Sequence, residues 1–200
     1  MPLLVKRVLD LAGSVVALVV LSPVCAIATI LVKVTSPGPV FFRQTRLGLN
    51  GRTFTLYKFR SMYRDAEERR AALAGRNEMS GPVFKIKDDP RITPVGKWMR
   101  RFSIDELPQF WNVLAGDMSL VGPRPLPIRD YEGFQQDWQR RGFSVKPGMT
   151  CLCQVNGRSN VPFERWMELD MEYIDQWSLW MDFKILAKTI PAVLKGAGAA

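Results

Sequence analysis

The stretch LAGSVVALVVLSPVCAIATILV, residues 11–32, decides the architecture: it runs for 22 residues without a charge. As a straight helix it would extend roughly 33 Å, enough to cross a hydrocarbon core of about 30 Å. A cleaved leader fits less well, because the run is long and no polar, small-residue cleavage region precedes Lys33. Ser22-Pro23 lies near its middle, where proline deletes a backbone hydrogen bond and clashes with the preceding turn, so a kink is expected. Lys6 and Arg7 stand before the run, and Lys33, Arg43 and Arg46 after it, which draws both ends toward the cytoplasm. A helix that enters one leaflet, bends at Ser22-Pro23 and returns meets both demands. A simple bitopic helix with a tolerated proline is the alternative. The chain therefore divides into a re-entrant anchor, residues 1–34, and a cytoplasmic-face domain, residues 35–200.

Beyond the anchor, Thr35-Ser36-Pro37-Gly38-Pro39 reads as a loop leaving the membrane surface. Val40-Phe41-Phe42 and Thr53-Phe54-Thr55-Leu56-Tyr57 are strand-like runs separated by Gly48 and Asn50-Gly51, a hairpin pattern that Lys58-Phe59-Arg60 continues. Residues 63–74, rich in Arg and Glu, read as an exposed charged helix, and residues 93–102 as a short helix. Leu107, Phe110, Trp111 and Leu114 recur at i, i+3, i+4, i+7 and are expected to form a core stripe. Trp166, Leu169, Tyr173, Ile174 and Trp177 make another apolar face, and Leu179, Phe183, Leu186 and Ile190 a third beside Lys184 and Lys188. Such helices either pack on the core or lie in the lipid interface. The fold class is α+β, predominantly helical, with a small β-hairpin, a re-entrant membrane helix and amphipathic interfacial helices.

Two hundred residues with 47% hydrophobic content bury one core, and a net charge of +9 favours an anionic partner. Nucleic acid, anionic lipid and nucleotide phosphates all satisfy that condition. Three cysteines argue against a disulfide scaffold, and Cys151-Leu152-Cys153 has no second pair to make a zinc site. They read as reduced small hydrophobes. The chain contains no histidine, so acid–base or covalent chemistry must run on carboxylates supported by arginine and lysine.

The carboxylates that stand out are Asp105 and Glu106, in Ser103-Ile104-Asp105-Glu106-Leu107-Pro108. The spacing Ser103-x-x-Glu106 fits a capping box at a helix start, which would put Asp105 in the first turn with a lowered pKa. The free N–H groups of that turn also attract phosphate, and the two anions coexist only if Arg100 or Lys58 and a Mg²⁺ ion join them. Arg124, between Pro123 and Pro125, has its backbone fixed before any ligand arrives, as suits a fork onto phosphate. Lys146-Pro147-Gly148 and Gln154-Val155-Asn156-Gly157-Arg158 form a second loop-rich patch for the same cleft.

Taken in order, these blocks resemble the bacterial sugar transferases of the monotopic phosphoglycosyl transferase superfamily. The likeness runs from Lys6-Arg7-Val8-Leu9-Asp10 through Ser22-Pro23, Ser36-Pro37-Gly38-Pro39, Tyr57-Lys58-Phe59-Arg60-Ser61-Met62 and Asp89-Pro90-Arg91-Ile92-Thr93. It continues with Asp105-Glu106-Leu107-Pro108-Gln109, the run from Gly116-Asp117-Met118 to Gly122-Pro123-Arg124-Pro125, and on to Trp177-Ser178-Leu179. Cys151-Leu152-Cys153 departs from it, since relatives often carry glycine or tryptophan there.

The resemblance implies a two-step transfer at the cytoplasmic face of a bacterial inner membrane. Asp105 attacks the β-phosphate of a UDP-sugar, releases UMP and holds the phosphosugar, which undecaprenyl phosphate then accepts. It implies Glu106 as the partner of Asp105, and Mg²⁺ at Asp105 and the diphosphate. Lys58 and Arg100 would neutralise phosphate and Arg124 would contact the nucleotide end, with Arg60, Pro123 and Pro125 completing the substrate-binding set. The partners implied are UDP-sugar, undecaprenyl phosphate and the bilayer, with no nucleic acid; UDP-glucose or UDP-galactose leads, with N-acetylated sugars open. The rival reading is a membrane-tethered module that binds nucleotide or nucleic acid without chemistry.

Overall fold

A computed structural model describes residues 1–134, 136–157 and 160–196. Arg158, at the end of the second loop-rich patch, and residues 197–200 of the small-residue tail lie outside the described residues. The apolar run forms two helices, α1 (Pro2–Val20) and α2 (Ser22–Thr35), bent by 61°. Pro23 has no N–H for the carbonyl of Val19, and the Ser22 hydroxyl donates to that carbonyl instead at 2.8 Å. The serine–proline pair thus makes the bend and satisfies the oxygen it strands. No single described helix is long and apolar enough to cross a membrane, whereas the bent pair passes that test together.

The polar residues of α1 face the body of the protein. Arg7 donates to the carbonyls of Val113 (2.6 Å) and Leu114 (3.0 Å), at the C-terminal end of α5 (Gln109–Ala115), where the helix dipole favours a cation. Buried Asp10 accepts from Ser119 Oγ and from the Leu120 N–H. Lys6 reaches the Val121 carbonyl and Asp182.

The expected hairpin is present as β1 (Phe41–Leu47) and β2 (Thr53–Phe59), antiparallel with Phe41 opposite Phe59 and Leu47 opposite Thr53. Its turn places Asn50 and Gly51 at φ of 54° and 72°, the left-handed conformations that an Asn-Gly pair supplies. A second pair was not expected: β3 (Ser119–Val121) runs parallel to β4 (Gly148–Thr150). A Cβ on Gly148 would sit 2.0 Å from the Gly122 nitrogen, so glycine after Lys146-Pro147 is demanded by the approach of these two segments.

The remaining helices are α3 (Glu68–Ala72), α4 (Pro94–Arg101), α6 (Ile128–Glu132), α7 (Leu152–Val155), α8 (Phe163–Asp175) and α9 (Leu179–Lys195). α4 starts as its sequence suggests, with the Thr93 hydroxyl accepting the Gly96 N–H. The charged helix expected over residues 63–74 shrinks to the five residues of α3. The stripe expected on α5 is also corrected. Trp111 is exposed, and the buried residues are Gln109, Asn112 and Val113. Asn112 turns inward because its amide accepts the Tyr57 N–H and donates to the Thr55 carbonyl, extending the ladder of β2.

One core cluster joins Leu126, Phe134, Val161, Phe163 and Trp166, so α8 is a core helix. Another joins Ala28 and Val32 of α2 to Phe59, Met99 and Ile104, so the bent helix pair packs against the turn that carries the acid pair.

Candidate active site

The acid pair is reached through an unusual backbone. The last turn of α4 closes with the Ser103 N–H donating to Arg100 O, and Ser103 then takes the left-handed conformation at φ 54°, ψ 23°. Residues Ile104–Glu106 follow as a single 3₁₀ turn, and α5 begins only after Pro108. The capping box is thereby overturned. Ser103 makes no side-chain cap, and Glu106 reaches away from the helix to two cations.

Glu106 Oε1 accepts from Lys58 Nζ at 2.7 Å and from Arg124 Nη2 at 3.1 Å. Alternation along β2 sends Lys58 to this carboxylate and its neighbour Phe59 into the core beside Ile104. Arg124 also donates to Gln154 Oε1 at 3.2 Å. Its loop is pinned on both sides: the Pro123 carbonyl accepts the Gly148 N–H at 2.8 Å, and the Pro125 carbonyl accepts Arg46 Nη1 at 2.9 Å. Pro123 and Pro125 act here through the main chain that fixes Arg124. Arg100 donates through Nε to Ser61 Oγ at 2.9 Å, and its charge bears on Asp105.

Contact with cations separates the two acids. Burial raises the pKa of Asp105, and the Glu106 charge adds to that rise against the opposing pull of Lys58, Arg100 and Arg124. Burial would raise Glu106 too, but contact with Lys58 and Arg124 overcomes it and holds Glu106 well below the usual carboxylate range. The expected dipole-lowered Asp105 is therefore corrected: no α-helix starts there, and desolvation prevails. Neighbouring acids pushed apart in this way take different roles.

Lys58, Arg100, Asp105, Glu106 and Arg124 line one cavity of about 940 Å³, within the range of small-molecule sites. Arg60 borders the same cavity, but its guanidinium is spent on the carbonyls of Ser36 and Pro37, each at 2.7 Å. It ties the exit of α2 to β2 rather than facing the acids. Gly148, Asn156 and Gly157 do not line the cavity, whereas Gln154 does.

Some contributors carried no signal in the sequence. Arg46, an isolated arginine in a strand, is buried beside Arg124, and that burial lowers its pKa to about 10. Phe84 lies on the cavity wall with the guanidiniums of Arg70 and Arg91 over its ring, at 4.9 and 5.0 Å. Arg91 is itself held by the Asp89 carboxylate, so Asp89-Pro90-Arg91 braces the wall.

A model of the family described as bacterial sugar transferase matches residues 1–196. The galactosyl transferase CpsE of Streptococcus agalactiae serotype III is 47% identical over 98% of this chain and 44% of its own length. The sugar transferase EpsL of Bacillus subtilis is 41% identical over 98% of this chain and 90% of its own. The UDP-glucose:undecaprenyl-phosphate glucose-1-phosphate transferase of Escherichia coli K12 is 41% identical over 94% of this chain and 39% of its own. The chain thus spans less than half the length of the first and third of these relatives and nearly all of the second. A match running from the first residue of the bent anchor to the end of α9 takes in every element that builds the cavity, and the chain belongs to the bacterial sugar transferase family.

Proposed function

We propose that this protein transfers a sugar 1-phosphate from a UDP-sugar to undecaprenyl phosphate, by way of a phosphosugar bonded to Asp105. The observation that carries the reading is the division of labour between neighbouring acids: Glu106 is clamped by Lys58 and Arg124, while the charge of Asp105 is left costly. An anion in that condition is a strong nucleophile. An Asp105 oxygen attacks the β-phosphorus, the bond to the bridging oxygen breaks, and UMP leaves. An oxygen of the lipid phosphate then attacks the same phosphorus and returns Asp105 to its carboxylate. Lys58, Arg100 and Arg124 offset the charge that builds on the phosphoryl oxygens. The names of the relatives agree with a hexose donor and an undecaprenyl phosphate acceptor.

Magnesium fits this donor set through Asp105 and substrate oxygens. No cluster of three or more acid or thiol side chains suits a metal among the described residues, and Glu106 is occupied by two cations. Magnesium in phosphoryl-transfer sites needs one or two carboxylates and takes its other ligands from substrate oxygens and water. Asp105 would be the protein ligand, and the ion would supply charge neutralisation at the diphosphate.

The bent helix pair, residues 1–34, is proposed to dip into the cytoplasmic leaflet of a bacterial inner membrane and return, with residues 35–200 forming the catalytic domain. The packing of Val32 and Ala28 of α2 against Ile104 supports this, because it ties the bent pair to the turn that carries the acid pair. Radiolabelled UDP-sugar incubated without acceptor tests the function. Label retained on the wild type but absent from Asp105→Asn, with UMP released, is expected. Undiminished lipid charging by Asp105→Asn would overturn the covalent route, and nucleotide binding without turnover in either protein would favour the binding module.

A further inference from the structure

The wall of the cavity beside Gln154 contains chemistry that the transfer does not use. Cys151 and Cys153 both line it, both are buried, and each thiol bears on the other's ionisation. Cys151 is the N-cap of α7 and its Sγ accepts the Gln154 N–H at 3.4 Å. Gln154 in turn accepts from Arg124, which pairs with Glu106. Two thiols therefore stand three links from the candidate catalytic acids.

We propose that Cys151 and Cys153 form a dithiol–disulfide couple, closed by a small-molecule disulfide that enters the cavity and reopened by thiols, which sets the position of Gln154 and Arg124. Its effect on turnover rests on the function proposed above. Leu152, between them, is helical, so helix geometry puts the two Cα atoms roughly 5.4 Å apart. That lies inside the range of about 4.4–6.8 Å that a disulfide spans.

The exchange balances. The Cys153 thiolate attacks one sulfur of RSSR, forming a mixed disulfide and expelling RS⁻. The Cys151 thiolate then attacks the Cys153 sulfur, closing the ring and expelling the second RS⁻. The protein loses two electrons and two protons, and two RSH result. The hydrogen bond from Cys151 lowers the pKa of Cys153 and leaves Cys151 raised, so Cys153 reacts first. Capping Cys153 removes the neighbouring charge that keeps Cys151 protonated. Closure turns Cys151 Sγ from the Gln154 N–H and frees the first turn of α7 to shift.

The test uses the full chain in detergent with Cys25→Ser, on α2 and outside the cavity, so that the pair supplies the only thiols. Oxidised glutathione is expected to remove two hydrogens from the intact mass and both titratable thiols, with no glutathione retained, and dithiothreitol restores them. Cys151→Ser should instead trap a stable glutathione adduct on Cys153. UMP release should fall about tenfold or more on oxidation and recover on reduction, as displacement of a substrate-positioning group does. Two surviving thiols, a glutathione adduct in the Cys25→Ser protein, or disulfide-linked dimers would overturn the couple. Unchanged UMP release by the fully oxidised protein would overturn its link to Arg124. A reduced protein that releases no UMP counts against the function instead, and the mass result still decides the couple.

Discussion

At Asp105 the cost of burying a charge and the use of that charge coincide. Because the folded pKa is raised, the native state binds its proton more tightly than the unfolded chain does. Stability is therefore lost as pH rises from the unfolded value of about 3.9 through the raised folded one. Asp105→Asn is expected to raise the melting temperature by a few degrees at neutral pH while abolishing turnover. A lower melting temperature would show that the carboxylate is needed for the fold. Glu106 has the opposite sign. Its contribution is present above its unfolded pKa of about 4.3 and is lost as pH falls through the depressed folded value. Lys58 is the main brake on the Asp105 rise, so Lys58→Met should move the acid limb of the pH–rate profile upward as well as slow turnover. A limb that stays in place would assign the shift to other neighbours. That Lys58, Asp105, Glu106 and Arg124 meet at one cavity was legible in the sequence because the acid pair and the proline-flanked arginine stand out in a chain without histidine. The capping box was not, because Ser103-x-x-Glu106 fits a helix start only if Ser103 is extended, and it is left-handed. Arg46 could not be found at all, since its place depends on β1 meeting the Pro125 loop.

The elements are joined by polar ties that a periodicity argument does not register. Asp182, at the start of α9, accepts from Lys6 of α1 at 2.6 Å, from the Tyr173 hydroxyl of α8 at 2.8 Å and from Trp177 Nε1 at 3.2 Å. Lys6 and Asp182 side chains are only 15% and 9% exposed, so this pair is screened far less than a surface bridge. Asp182→Ala would leave a desolvated ammonium with only the Val121 carbonyl, and we expect a loss of about 3 kcal/mol. Thermal unfolding in detergent measures it, and a loss under about 1 kcal/mol would make the tie incidental. The bend between α1 and α2 and the hairpin were readable because proline and Asn-Gly act within a few residues. The inward face of α5 was not, because Asn112 belongs to the ladder of β2 rather than to an apolar stripe. The parallel pairing of β3 with β4 joins segments nearly thirty residues apart, and no local pattern announces such a partner.

For the whole molecule, the exposed surface is as informative as the core. Val16, Val19, Ile27 and Ile30 on the bent pair face outward, as do Trp180, Phe183, Ile190 and Leu194 on α9. The Lys6–Asp182 tie joins α1 to α9, so these belong to one connected assembly. Large apolar side chains left uncovered in such number offer a surface for lipid. The net charge of +9 offers a second attraction to anionic lipid, and the two contributions separate by salt. At roughly 1 M salt the Debye length is about 3 Å and charge attraction largely disappears, while apolar insertion remains. We therefore expect vesicle binding to survive that salt. In single-tryptophan variants, Trp180, 66% exposed, should be quenched by lipids brominated near the headgroup, and buried Trp166 should not. Loss of binding at high salt together with an unquenched Trp180 would mean that the protein only rests on the surface charge. The lipid phosphate would then have to leave the bilayer to reach Asp105, and the packing of α2 against the turn that carries the acid pair would lose its purpose.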